Sequence, residues 1–169
     1  NLLPAAYATN DAMHEDFLRL QTGPNCLIGL ARLAQFMFSG GDLAPTRDWL
    51  IERFTRDSTQ FGALMDLAIT LELMGMAEEA QNIQRVALEN FRHYAVVSDL
   101  QADAVRVLGF CVPGPINANT PIEFLIENRA VQLYSVYVLP DRPLPAIPDH
   151  DVAMVLAAES DASYPAHQF

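Results

Sequence analysis

Residues 27–90 repeat themselves at an offset of 34: Leu30 falls on Leu64, Leu33 on Leu67, Ala34 on Ala68, Met37 on Leu71, Gly41 on Gly75 and Thr46 on Ala80. A period of this length restricts the fold more than any single residue does, because one unit is too small to bury its own apolar face and must stack on a neighbour. Within each copy, apolar or small residues recur three or four positions apart, a glycine interrupts them, and a second helical pattern follows. That is the pattern of an antiparallel helix pair.

The second copy, Leu64-x-x-Leu67-Ala68-x-x-Leu71-x-x-x-Gly75-x-x-x-x-Ala80-x-x-x-x-x-x-Ala87, resembles a tetratricopeptide repeat over roughly residues 27–92. Small residues at Ala68 and Ala80 would let paired helices approach closely, and Gly75 would supply the helix-ending conformation. The first copy is looser, with Thr46 and Arg53 where the second has Ala80 and Ala87. In such repeats the first helices line a groove. By alignment its positions are Ile28, Ala31, Gln35 and Phe38, then Met65, Ile69, Glu72 and Leu73.

Composition limits the partners. With 51% apolar residues in 169, the chain can bury a real core. A net charge of −11 argues against nucleic acid or an anionic membrane surface, both of which need a basic footprint. No apolar window reaches membrane-span length, and no basic segment precedes an apolar run, so a cytoplasmic protein is the expectation. All ten basic residues are arginines. The absence of lysine removes a phosphate-loop lysine and a Schiff base, and no cofactor is expected. Cys26 and Cys111 fit no metal-ligand spacing and read as buried reduced thiols.

In chain order, Thr9 or Asn10 caps a helix reaching about Gln21, Gly23-Pro24 ends it, and Asn25 opens the first helix of copy one. After Ser98 the character changes. Residues 105–112 form a β-rich run ending in Pro-Gly-Pro, Thr120-Pro121 opens a short helix, and runs at 131–139 and 152–157 read as two more strands, joined through Pro140, Pro143, Pro145 and Pro148. Strand, helix, strand, connection, strand describes half of an open parallel sheet. One helix covers one face, and the repeat helices are expected on the other. Residues 104–161 also resemble the small Rossmann-like unit that precedes the catalytic core in some bacterial ATP-grasp-type proteins carrying tetratricopeptide repeats. The residues involved are Val107-Leu-Gly-Phe, the stretch from Asn119 to Leu125, and Pro148-Asp-His-Asp151.

In an open parallel sheet, ligands gather at the carboxyl ends of the strands. The best candidate there is the loop of residues 113–120, with Gly114, Asn117, Asn119 and Thr120, where a helix N-terminus would attract an anion. Turn and cap chemistry calls for the same residues. Arg142, Glu159, Ser160 and Asp161 lie at the same end. Asp149-His150-Asp151 enters the third strand at its amino end and reads as a cap.

The expected fold is therefore α plus α/β: tetratricopeptide-like helix pairs in residues 1–98, packed on a small three-stranded parallel unit in residues 99–169. The expected function is a non-catalytic protein-interaction or binding module. The alternative is the substrate-side fragment of an ATP-grasp-type ligase whose nucleotide core lies elsewhere. Two repeats are fewer than a free-standing solenoid needs. The apolar groove face of Ile28, Ala31, Phe38, Met65, Ile69 and Leu73 should then be covered by a protein partner, by a second copy in a homodimer, or by residues 99–169. With no lysine and no glycine-rich phosphate loop, the chain should show no stoichiometric Mg-ATP site in calorimetric titration. A micromolar site would overturn that expectation.

Overall fold

A computed structural model describes residues 7–99, 103–126 and 130–158. Helix α1 (Asn10–Leu20) starts at Thr9, whose hydroxyl accepts from the Ala12 N–H. Helices α2 (Leu30–Phe38), α3 (Ala44–Arg56), α4 (Phe61–Leu73) and α5 (Ala77–Asn90) follow. Helix α4 is apolar on almost every side, and each residue from Gly62 to Ala68 is buried, so it forms the centre of the helical layer. Around it pack α5, α3 and α2. Gly75, at φ 83°, turns the chain from α4 into α5, and the buried Ala80 and Ala87 present α5's small side. Outermost, α1 is held to α3 by His14, which stacks on Trp49 at 4.0 Å and hydrogen-bonds Thr46 at 2.9 Å.

The protein is mixed helix and sheet, and the sheet is larger than three strands. Strands β1 (Cys26–Leu27), β2 (His93–Val96), β3 (Val105–Cys111), β4 (Val131–Tyr137) and β5 (Val152–Val155) form one five-stranded sheet in the order β1-β2-β4-β3-β5. The three C-terminal strands are parallel, as expected, but β2 runs antiparallel to β4, and β1 pairs parallel to β2. The sheet thus takes strands from both sides of Ser98. Residues 26–27, expected inside a helix, are strand because Cys26 and Leu27 pair with Ala95 and Val96. Helix α2 starts later, after Gly29 at φ 93°. Ile28 consequently precedes the helix instead of lining its groove.

Register assigns the faces. Val107, Gly109 and Cys111 stand beside Leu133, Ser135 and Tyr137 on one face; Leu108 and Phe110 stand beside Tyr134 and Val136 on the other. The short helix α6 (Glu123–Ile126) contacts α2, so it lies on the same side as the repeat helices. The opposite face carries no helix among the described residues. There Leu108, Phe110 and Val136 pack with Leu144 of the proline-rich connection. No described helix is long and apolar enough to cross a membrane.

At Gly62 the helical layer meets β1 backbone to backbone. Gly62 N donates to Pro24 O at 2.8 Å, and a Cβ on Gly62 would stand 2.2 Å from the Cys26 carbonyl oxygen. Replacing a helical glycine by alanine ordinarily gains about 1 kcal/mol. At Gly62 the sign should reverse, because backbone stands in the way: Gly62→Ala should lose about 1–3 kcal/mol, read from the urea midpoint. A rise in stability would mean that α4 does not press on β1.

Candidate functional site

A cavity of about 90 Å³ lies between the helical layer and the sheet, at the carboxyl ends of the parallel strands. Its floor is Ser135 and Tyr137 of β4 and Cys111 of β3, brought side by side by the parallel register. Its roof is Met65, Ala68, Ile69 and Glu72 from α4, with Gln81 and Gln84 from α5. Leu156, just past β5, closes one end; it lies over Gly109, where a Cβ would meet its Cδ1 at 2.3 Å. The small residues Ala68 and Ala80 help leave the space open, and Gly109 makes room for Leu156.

The rim is the loop after β3, and its polar groups are largely committed. Asn119 clamps Val112 from both sides, its Oδ1 accepting from Val112 N at 2.9 Å and its Nδ2 donating to Val112 O at 2.8 Å. Gln84 does the same to Gly114, at 2.8 and 3.1 Å. Glu72 Oε1 accepts from Ile116 N at 2.8 Å. Thr120 N donates to Leu156 O at 2.6 Å, tying the loop to the segment after β5. The loop N–H groups expected to attract an anion therefore already meet oxygens of the protein itself.

Of the residues singled out in the sequence, Gly114, Asn119 and Thr120 line the cavity. Asn117 is exposed and lies outside it. Arg142 sits elsewhere, donating to Glu89 O at 3.1 Å. Glu159, Ser160 and Asp161 lie outside the described residues. Asp151 hydrogen-bonds Arg106 through both carboxylate oxygens, which holds its carboxyl down at about 2, and His150 Nδ1 meets Pro148 O at 2.9 Å. On the helical face, Ile28, Ala31 and Met65 are buried, and Ile69 and Leu73 are half-buried. Phe38, expected beneath a cover, is 76% exposed.

The electrostatics of the floor oppose nucleophilic chemistry. Burial pushes the Cys111 thiol up to about 12, a hydrogen bond with Ser135 counteracting only in part, so the thiolate is absent at neutral pH. Burial likewise raises the Tyr137 phenol. No histidine lines the cavity. Among the described residues no group of three His, Cys, Asp or Glu side chains is placed to hold a metal. Comparisons with protein-family models, with curated proteins and with solved structures found no match to this chain.

Behind the roof stands a carboxylate not singled out in the sequence. Asp66 is fully buried; its Oδ2 accepts from Ile28 N at 2.7 Å and its Oδ1 from Gly29 N at 3.1 Å. Glu123 of α6 completes the start of α2 by accepting from Ala31 N at 3.0 Å. The signal for Asp66 was present: an acid in the middle of a helix apolar on almost every side must be buried, and a buried acid must find donors. Burial raises its carboxyl to about 7, the two N–H bonds opposing. The folded value lies above the unfolded one, so the stability contributed is complete below about 3.8 and is lost as pH rises towards 7. Wild type should therefore lose about 1.4 kcal/mol per pH unit relative to Asp66→Asn across that interval, read from urea midpoints at several pH values. Parallel profiles for the two proteins would mean that Asp66 titrates normally.

Proposed function

We propose that the chain is a non-catalytic binding module in which tetratricopeptide-like helix pairs roof a small parallel sheet, and that the cavity between them is its ligand site. One observation carries this reading: a walled cavity at the carboxyl ends of β3, β4 and β5, where open parallel sheets place their ligands. The strand order supports it, since β3 is followed by β4 on one side and by β5 on the other, the reversal at which such crevices form. The chemistry of the lining favours binding over turnover. A protonated thiol, a protonated phenol and amides clamped to backbone can recognise a molecule, but they include no activated nucleophile and no base paired to one.

Size narrows the ligand. An apolar cavity of about 150 Å³ takes benzene, so the present one admits a smaller organic group, or the tip of a larger molecule entering past the loop at Gly114.

A fragment screen followed by protein-observed NMR tests the reading. Hits should shift the amides of Gly109, Ser135 and Gly114, and Ala68→Leu, which projects into the cavity, should abolish them while costing no more than about 3 kcal/mol of stability. Hits clustering around the exposed Phe38, untouched by Ala68→Leu, would move the binding site to the helical surface and overturn the proposal.

A further inference from the structure

We infer that the cavity selects a small cationic ligand, an ammonium or amidinium group on a few carbon atoms; the inference rests on the binding-module reading above. The lining is one-sided in charge. Glu72 and Glu123 are its ionisable carboxylates among the described residues, and no described arginine or histidine lines it. Arg32 borders the neighbouring cavity of about 40 Å³ on the far side of Glu123, and does not line this one.

Two polar atoms of the lining also have no protein partner among the described residues. Glu72 uses Oε1 for Ile116 N, and its Oε2 has no partner among the described residues. The Tyr137 hydroxyl has no hydrogen-bond partner there either; its one close partner is the Tyr94 ring, edge to face at 6.1 Å. A carboxylate oxygen only accepts, so what meets Glu72 must donate. A phenol donates or accepts, and its ring attracts a cation. An anion fits neither: the loop N–H that would have met it is taken by Glu72 itself, and the remaining oxygen would repel it. Partial burial strengthens the discrimination, because a charge drawn away from water is best tolerated beside its opposite.

Three probes of nearly one shape and three charges decide the matter: acetamidinium, acetamide and acetate, each titrated into the full chain with NMR shifts at Gly109, Ser135 and Gly114 as readout. Acetamidinium should saturate these shifts, binding about ten-fold tighter than acetamide, the difference between a charge-assisted and a neutral hydrogen bond. Acetate should produce none. Glu72→Gln keeps an oxygen for Ile116 N and removes the charge, so it should erase the preference for acetamidinium over acetamide. Tyr137→Phe should weaken both and leave their ratio intact. If acetamide equals acetamidinium, or acetate binds, selection by charge is wrong while the cavity remains the ligand site. If none of the three binds but fragments from the neutral screen do, the cationic ligand is again excluded. If nothing binds in either experiment, the binding-module reading falls with it.

Discussion

The N–H groups of Ile28 and Gly29 end on one buried carboxylate, and the layered arrangement depends on that contact. These groups lie where β1 stops and α2 begins, at a backbone turn with φ 93° that offers them no partner of its own. Leaving two buried donors unpaired would cost several kcal/mol. Asp66 supplies both acceptors from the middle of α4, so the helix is fixed along its length as well as against the strand. Gly62 removes the side chain that would hold the same helix off β1. The sheet then gains β1 at its edge, and the helical layer becomes continuous with the sheet through backbone contacts as well as through the apolar core.

The same device recurs at two other places, the first turn of α2 and the loop before α6. Asp66 and Glu123 occupy the start of α2, and Glu72 occupies the loop before α6. Helix starts and such loops ordinarily attract anions from solution. Here acids from neighbouring elements stand in for the anion, and each one ties together two different elements. In a chain without lysine and with net charge −11, the acids thus act as internal staples as well as a solvated surface. The consequence for the cavity is a negative wall. Glu72 stands where the loop geometry alone would place a phosphate or carboxylate.

How much of this could be read from the sequence follows from range. Strands β3, β4 and β5 were legible because each is an apolar run bounded by proline, glycine or a cap. Helices α4 and α5 were legible because the glycine at 75 and the alanines at 68, 80 and 87 keep their spacing. Strands β1 and β2 were not: two residues cannot display a period, and Cys26-Leu27 runs into the apolar pattern of α2. What makes them strand is pairing with residues about 70 positions away. Of the loop, Gly114, Asn119 and Thr120 line the cavity, while the N–H groups of Gly114 and Ile116 are already bonded to Gln84 and Glu72. Glu72 looked like one more groove position, and Glu123 like an ordinary acid in a first helical turn. Neither reveals in one dimension that it reaches a distant backbone.

The helical layer and the sheet also share responsibility for the cavity's opening. Gln84 holds Gly114 by both its donor and its acceptor, and on the outer side of that contact lies a surface groove of about 390 Å³ bounded by Gln81, Arg85 and Glu89. Gln81, Gln84 and Gly114 border the inner cavity and the outer groove alike. Two neutral hydrogen bonds, worth about 1 kcal/mol each, thus stand between the inner cavity and the outer groove. The partition is weak compared with the buried carboxylate that anchors the layers. Neither Asp66 nor Gly62 borders the cavity or the groove, so the contacts that join α4 to β1 and to the start of α2 do not run through the edge that the two spaces share.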